Sequence, residues 1–356
     1  MRAVAVVGAG AVGLTAAYDL ARRGAAVTVF ERAHVGSGAT ERAAGIAYDA
    51  FADAEDAALA TRALDRFREF SGEGGFKFHT TPYVWFVTDP ASAAEVRDAT
   101  RQMADHGVEV EFADGQRLRE RFPQFRTDDV AAAGIAERAG SLDPAAYADL
   151  LAAKARETGA TIRTDTEVAV RADPPRVVGH GEYDAVVVAA GAASEGLLAD
   201  AGVDVPLGAY RAQCLRCHGP AVPAFYDATE GFYARPHTRG LVAGDGASRA
   251  DPDAWDPAAD EGFEEAMLAR LRERLLNLET GVQESWAGLC TATPDGDPLV
   301  GPVVEGVVVA AGWHGSGLMR APAMGEVVAD AVLDGVVEER FDPGRFDGTE
   351  QILYPE

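Results

Sequence analysis

The sequence predicts an α/β chain with an α+β part. One lobe is built on a largely parallel, helix-flanked sheet, and it is interleaved with a second lobe built on an antiparallel sheet. Three observations carry this. The chain opens on a short apolar run, Ala3–Val7, stopped at once by a glycine-rich turn and followed by a helix-like stretch and a second apolar run, Ala26–Phe30. A run of the same kind, Asp184–Ala189 before Gly191, returns far along the chain, as a strand buried on both faces of a parallel sheet does. Between and after these lie segments rich in aromatic and β-branched residues, Thr81–Thr88, Leu207–Leu215, Gly231–Pro236 and Gly240–Gly244, which read as strands of a separate setting.

The opening unit comes first. Gly8, Gly10 and Gly13, with Ala9, Ala11 and Val12 between them, form a G-x-G-x-x-G turn. The first glycine allows the bend, the second lets backbone approach a pyrophosphate, and the third lets helix and strand pack closely. Leu14–Arg23 continues as a helix stopped by Gly24, with its free N–H groups and dipole aimed at an anion. Glu31 stands at the tip of the second strand, where a carboxylate accepts bonds from both ribose hydroxyls of an adenosine and disfavours a 2′-phosphate. Strand, glycines, helix, strand and acid in this order point to a bound dinucleotide.

Gly36–Ile46 is a loop of small and hydroxyl residues suited to lie against a ligand. Ala54–Phe70 has helical spacing of apolar residues, and Ser71–Gly75 is a hinge. Ala91–His106 reads as an amphipathic helix and Val108–Phe112 as a short strand. Asp143-Pro144 starts a helix that runs to about Glu157 and stops at Gly159. Ala160–Arg163 and Glu167–Val170 read as strands, Glu261–Leu276 as a surface helix, and Asp251–Asp260 as a loop. Gly306–Ala311 is a last strand, followed by a second glycine-rich turn, Gly312–Gly317. A helix is expected from about Pro322 to Leu333, with proline in its first turn. No internal repeat is visible.

Charge narrows the function. The chain has 57 acidic against 32 basic residues, a net charge of −25, and its only lysines are Lys77 and Lys154. Self-repulsion of this size is relieved as the Debye length falls to about 3 Å at 1 M salt, so a salt-rich, halophilic cytoplasm is expected. No basic patch interrupts the acid, which speaks against nucleic acid and anionic membranes as partners. Met1-Arg2 leads directly into the first strand and no apolar run reaches about 20 residues, so neither an export signal nor a membrane span is expected. Cys214, Cys217 and Cys290 do not suggest a disulfide scaffold. Cys214-Leu215-Arg216-Cys217-His218 has the form of a haem-attachment site, but it continues a strand-like run, and the cysteines read as small buried residues. No metal is expected.

The glycine turn Gly8–Gly13, Glu31, the Gly36–Ile46 loop, Leu142-Asp143-Pro144, Val186–Gly191, Trp286-Ala287-Gly288-Leu289, Thr293–Gly301 and Gly312–Gly325 span nearly the whole chain. Together they resemble the flavin-dependent D-amino acid oxidase superfamily, in its glycine oxidase, sarcosine oxidase and dimethylglycine dehydrogenase branch. The resemblance implies a Rossmann-type FAD-binding lobe (1–75, 140–205 and 288–340), an antiparallel-sheet substrate lobe (76–139 and 206–287) and a tail (341–356). It implies FAD contacts at Gly8–Gly13, Glu31, Arg32, Ala39, Thr40, Gly45, Ile46, Val168, Ala190 and Gly191. The turn continues them with Gly312, Gly315, Ser316, Gly317, Leu318 and Met319, whose N–H groups and helix dipole would face the flavin's N1–C2=O side.

The substrate positions depart from the family. Cys290 stands where glycine oxidase carries its carboxylate-binding arginine, and Met319 where sarcosine oxidases carry a lysine. Val242 stands where monomeric sarcosine oxidase keeps an oxygen-activating lysine, and Gly288 where it has its flavin-linking cysteine. FAD is therefore expected without a covalent link, and a dehydrogenase is favoured over an oxidase. Among the remaining basic groups, Arg235 shares a strand face with Tyr233, Arg320 and His314 flank the turn, and Arg42 lies in the Thr40 loop. His314, Arg320, Tyr233 and Arg235 are the expected catalytic and substrate-binding residues, with Arg235 the first choice for a carboxylate.

The implied reaction is oxidation of the C–N bond of an amino acid or of a secondary or N-methyl amine. Hydride passes to flavin N5, leaving an imine that water hydrolyses, and the electron acceptor stays open. Two other readings are a flavoprotein assembly factor that keeps FAD for structure and an FAD domain acting on a modified nucleobase; the −25 charge speaks against the second.

Overall fold

A computed structural model describes residues 1–278 and 281–355; Glu279 and Thr280 of the expected substrate lobe and Glu356 of the expected tail lie outside the described residues. The first sheet has six strands in the order Leu299–Val304, Val307–Ala311, Ala185–Val188, Ala3–Val7, Ala26–Phe30 and Thr161–Arg163. All neighbours are parallel except the outer pair Leu299–Val304 and Val307–Ala311. Its central strands are almost wholly buried, which suits their unbroken Val and Ala content. The helices Ala11–Arg22, Ala54–Phe70, Pro144–Glu157 and Gly317–Leu333 pack in one core on one face. A small antiparallel sheet, Val170–Arg171, Arg176–Val177 and Gly181–Glu182, and the short helix Ser194–Ala199 cover the other.

The glycine turn works by close approach. A Cβ on Gly13 would stand 2.1 Å from Gly8 O, and one on Gly8 would stand 2.4 Å from Ala189 O. Any side chain there would force strand, helix and the Ala185–Val188 strand apart.

The second sheet has eight strands, in the order Val282–Ala292, Gly208–Cys217, Gly240–Arg249, Phe232–His237, Ala224–Asp227, Tyr83–Val87, Ala132–Ala136 and Val110–Ala113. One face packs on the helices Phe263–Arg274 and Gly115–Arg121 through a phenylalanine-rich core. No helix among the described residues is long and apolar enough to cross a membrane.

Three expectations are corrected. The second sheet is not purely antiparallel, because Ala224–Asp227 runs parallel to Tyr83–Val87. Of Glu167–Val170, only Val170 is in a strand, and that strand belongs to the small separate sheet. The last helix begins at Gly317, so Pro322 lies inside it rather than in its first turn. The missing N–H of Pro322 is tolerated because the extra residues are buried: Leu318, Met319 and Ala321 join the core, and Gly325 packs against Thr15 and Asp19.

Candidate active site

A cavity of about 1200 Å³ runs from the glycine turn to the inner face of the second sheet. At its first end Glu31 is already engaged with backbone. Its Oε2 accepts from the Ala9 N–H at 2.8 Å and its Oε1 from the Ala33 N–H at 3.0 Å. Each carboxylate oxygen has two acceptor sites, so capacity remains for ribose hydroxyls. Thr40 Oγ1 accepts from the Ala11 N–H at 3.0 Å over the start of the first helix. A Cβ on Gly10 would come within 3.2 Å of that hydroxyl. Narrow space over a helix N-terminus is the cradle a pyrophosphate needs.

Nearly every residue implied as a cofactor contact lies on the cavity wall: Gly8, Gly10, Ala11, Val12, Glu31, Arg32, Ala39, Thr40, Gly45, Ile46, Val168, Ala190, Gly191, Gly315, Ser316, Gly317, Leu318 and Met319. Ala9, Gly13 and Gly312 stand behind it. Ala9 gives its N–H to Glu31, Gly13 packs the helix on the strand, and the Gly312 N–H donates to Thr291 Oγ1 at 3.1 Å.

The second glycine turn is held by two threonines, of which only Thr293 falls in a motif that the sequence marks. Thr291 Oγ1 also accepts from the Trp313 N–H at 3.2 Å, and the Thr293 N–H donates to His314 Nε2 at 2.7 Å. His314 takes a left-handed backbone at φ +46°, and its own N–H donates to Thr291 O at 2.8 Å. Burial lowers the imidazole below its ordinary pKa, which matches a neutral ring whose Nε2 serves as acceptor. The sequence signal for these supports is the Thr293-Pro294-Asp295 motif, which marks the segment without showing where its side chains point.

Of the four expected catalytic residues, His314 and Tyr233 line the cavity, and Arg235 and Arg320 do not. Tyr233 lies across the neighbouring strand over Gly244, where a Cβ would be 2.4 Å from its hydroxyl, and reaches Cys214 Sγ at 3.0 Å. Burial pushes the Cys214 thiol up to about 12 and Tyr233 well above its usual value. Arg235 is buried, donating from Nε to Ala44 O and from Nη1 to Pro236 O at 3.0 Å; burial lowers it to about 10. Its strand places it beside Tyr233 as expected, but Ala44 O and Pro236 O take two of its donors and it does not line the cavity. Arg320 pairs with Asp56 at 3.0 Å and covers the Phe51 ring.

Besides Arg32, the arginine on the cavity wall among the described residues is Arg42. It donates to Ala287 O at 3.2 Å and lies over Trp255, while its backbone O accepts from Trp286 Nε1 at 2.9 Å. Across from it, a Cβ on Gly288 would stand 3.1 Å from Arg42 Cβ. Tyr210 and Cys290 face each other across their two strands and also line the wall. Val242 is buried in register between Arg235 and Arg216, off the wall.

Residues 3–331 match the family described as DAO, FAD dependent oxidoreductase. The chain belongs to this family. FAD is the family's cofactor, and the glycine turn, Glu31 and the helix start described above fit it. Glycine oxidase from Geobacillus kaustophilus (strain HTA426) is 28% identical over 382 residues, covering 98% of this chain and 97% of the relative. 4-Methylaminobutanoate oxidase (formaldehyde-forming) from Paenarthrobacter nicotinovorans is 27% identical over 385 residues, covering 96% of this chain and 45% of the relative. Among solved structures, L-proline dehydrogenase from P. horikoshii is similar at a TM-score of 0.87 and 26% identity, covering 98% of this chain and 99% of the other.

Proposed function

We propose that this protein oxidises the C–N bond of an amino acid or secondary amine that carries a carboxylate, and that it works as a dehydrogenase. One observation carries the reading. A single cavity joins the dinucleotide cradle at Glu31 to a compartment under the second sheet, and the start of the Gly317–Leu333 helix opens onto it through Gly315–Met319. FAD, when bound, supplies the hydride acceptor; the chain supplies position and field. The helix start favours negative charge there. Tyr233, Cys214, Tyr210 and Cys290 wall the far compartment with groups that burial keeps neutral. His314 holds the turn, because its acceptor nitrogen is already engaged. The names of the relatives agree with amine and amino-acid substrates.

Val242, apolar and off the wall, supports poor oxygen activation, since that step gains from a fixed positive charge; Arg32 and Arg42 are the arginines that remain on the wall. Gly288 in contact with Arg42 supports FAD held without a covalent link; acid precipitation of the holoenzyme should leave the yellow colour in the supernatant. The deciding experiment is an anaerobic screen of amino acids and N-methyl amines for bleaching of bound flavin. The bleached enzyme is then mixed with air-saturated buffer or an artificial acceptor. Bleaching by no member of the panel sinks the enzymatic reading, and faster reoxidation by oxygen sinks the dehydrogenase reading.

A further inference from the structure

Three tyrosines from three segments meet on the cavity wall: Tyr48 after the strand Ile46–Ala47, Tyr83 at the start of Tyr83–Val87, and Tyr226 within Ala224–Asp227. The rings of Tyr48 and Tyr83 are parallel within 6° at 4.2 Å. The stack continues outward on both sides, to Phe51 at 5.4 Å from Tyr48 and to Trp85 at 6.2 Å from Tyr83. Tyr226 is paired with Trp85 in the parallel register, which sets it beside the stack. Rings fixed in a four-membered column cannot swing, so their hydroxyls are held in place before a ligand arrives.

The phenols of the trio are engaged with one another rather than with a thiol, Tyr48 and Tyr83 interacting through their hydroxyls. Tyr233 is bonded to Cys214, and Tyr210 stands against Cys290. The polar groups acting on Tyr83 are Tyr48 and Tyr226, and those acting on Tyr48 are Arg320, Tyr83 and Tyr226. Burial raises both phenols, so they stay protonated and able to donate through neutral and mildly alkaline pH. Arg320 lies behind Phe51, paired with Asp56, and partly offsets the effect of burial on Tyr48 without entering the cavity.

Resting on the reading of an amino-acid substrate, we propose that Tyr48, Tyr83 and Tyr226 form the seat of the substrate carboxylate. Donated phenol O–H bonds take the place of a guanidinium clamp. A hydroxyl bonded to a carboxylate makes a short, charge-assisted bond about twice as strong as a neutral one. Two or three such bonds hold the anion with no buried cation to desolvate. The rival holder is Arg42, which lies toward Gly288 and Trp255.

The test is binding of benzoate to the FAD-loaded protein, followed by perturbation of the flavin spectrum, with benzamide as its uncharged twin. Wild type is expected to bind benzoate in preference to benzamide. Tyr83→Phe and Tyr226→Phe should each raise the benzoate dissociation constant roughly ten- to a hundredfold, leaving that of benzamide nearly unchanged. Retained FAD and an unchanged visible spectrum establish that each variant is folded. Three outcomes overturn the proposal: no benzoate binding by wild type, unchanged benzoate affinity in both variants, or equal losses for the two ligands. Abolition by Arg42→Met beside unaffected tyrosine variants would assign the carboxylate to Arg42. Because benzoate binding needs no turnover, a protein that no amine bleaches still reveals whether the tyrosines hold the anion.

Discussion

His314 carries the turn at the residue scale. Its left-handed backbone and its acceptor bond from the Thr293 N–H require a neutral ring, and burial lowers its pKa in the fold. The unfolded chain, with an ordinary value near 6.5, binds the proton first as pH falls. Stability from this residue is thus fully present above about 6.5 and declines as pH drops from there toward the lowered folded value. Asparagine accepts the same N–H, tolerates positive φ and does not titrate. The melting temperature of wild type should therefore fall relative to His314→Asn between pH 7.5 and 5.5; a difference that ignores pH removes the assignment. The histidine and the glycines around it are legible in the sequence, because a turn is local. Thr291 and Thr293 are not legible as its supports, since they reach the turn from the end of the Val282–Ala292 strand and the residue just beyond it. Strand alternation places Arg235 beside Tyr233, but alternation says nothing of a carbonyl on a distant loop that takes up the guanidinium.

Among elements, the legible ones carry their own period. Ala26–Phe30 and Ala54–Phe70 have the bounds their sequences suggest. Val282–Ala292 is hard to recognise because it is only half-buried and carries polar residues and Gly288, which blur alternation. The start of the Gly317–Leu333 helix is masked because proline is a strong local stop signal, overridden here by packing. That packing includes a buried clamp. Arg66 Nη1 donates to Asp19 Oδ2 at 2.8 Å and to Pro322 O at 2.7 Å, tying the first, second and last helices together. Burial raises Asp19 even with Arg66 against it, so an unpaired Asp19 would be costly. Arg66→Met is expected to lose about 3–5 kcal/mol in denaturant unfolding. A loss within about 0.5 kcal/mol, ordinary for a surface site, would show that the clamp contributes little.

For the whole molecule, the −25 charge is legible from composition alone. The structure adds that acids gather around arginines: Arg340 faces Asp53, Asp56 and Asp297 at once. The remaining acid is uncompensated, so thermal midpoints should rise as KCl goes from low to molar concentration. A flat or falling midpoint argues against a salt-rich setting. The two-lobed plan is also readable, but the cavity between the lobes depends on the 36–46 loop being gripped from both sides. Thr40 meets the first helix, Trp286 holds Arg42 and Arg235 holds Ala44. Order that a dinucleotide imposed on this loop would also be felt at the far wall of the cavity. By thermodynamic reciprocity, a molecule seated on that wall would then change the protein's hold on its dinucleotide by the same factor as the dinucleotide changes its own binding.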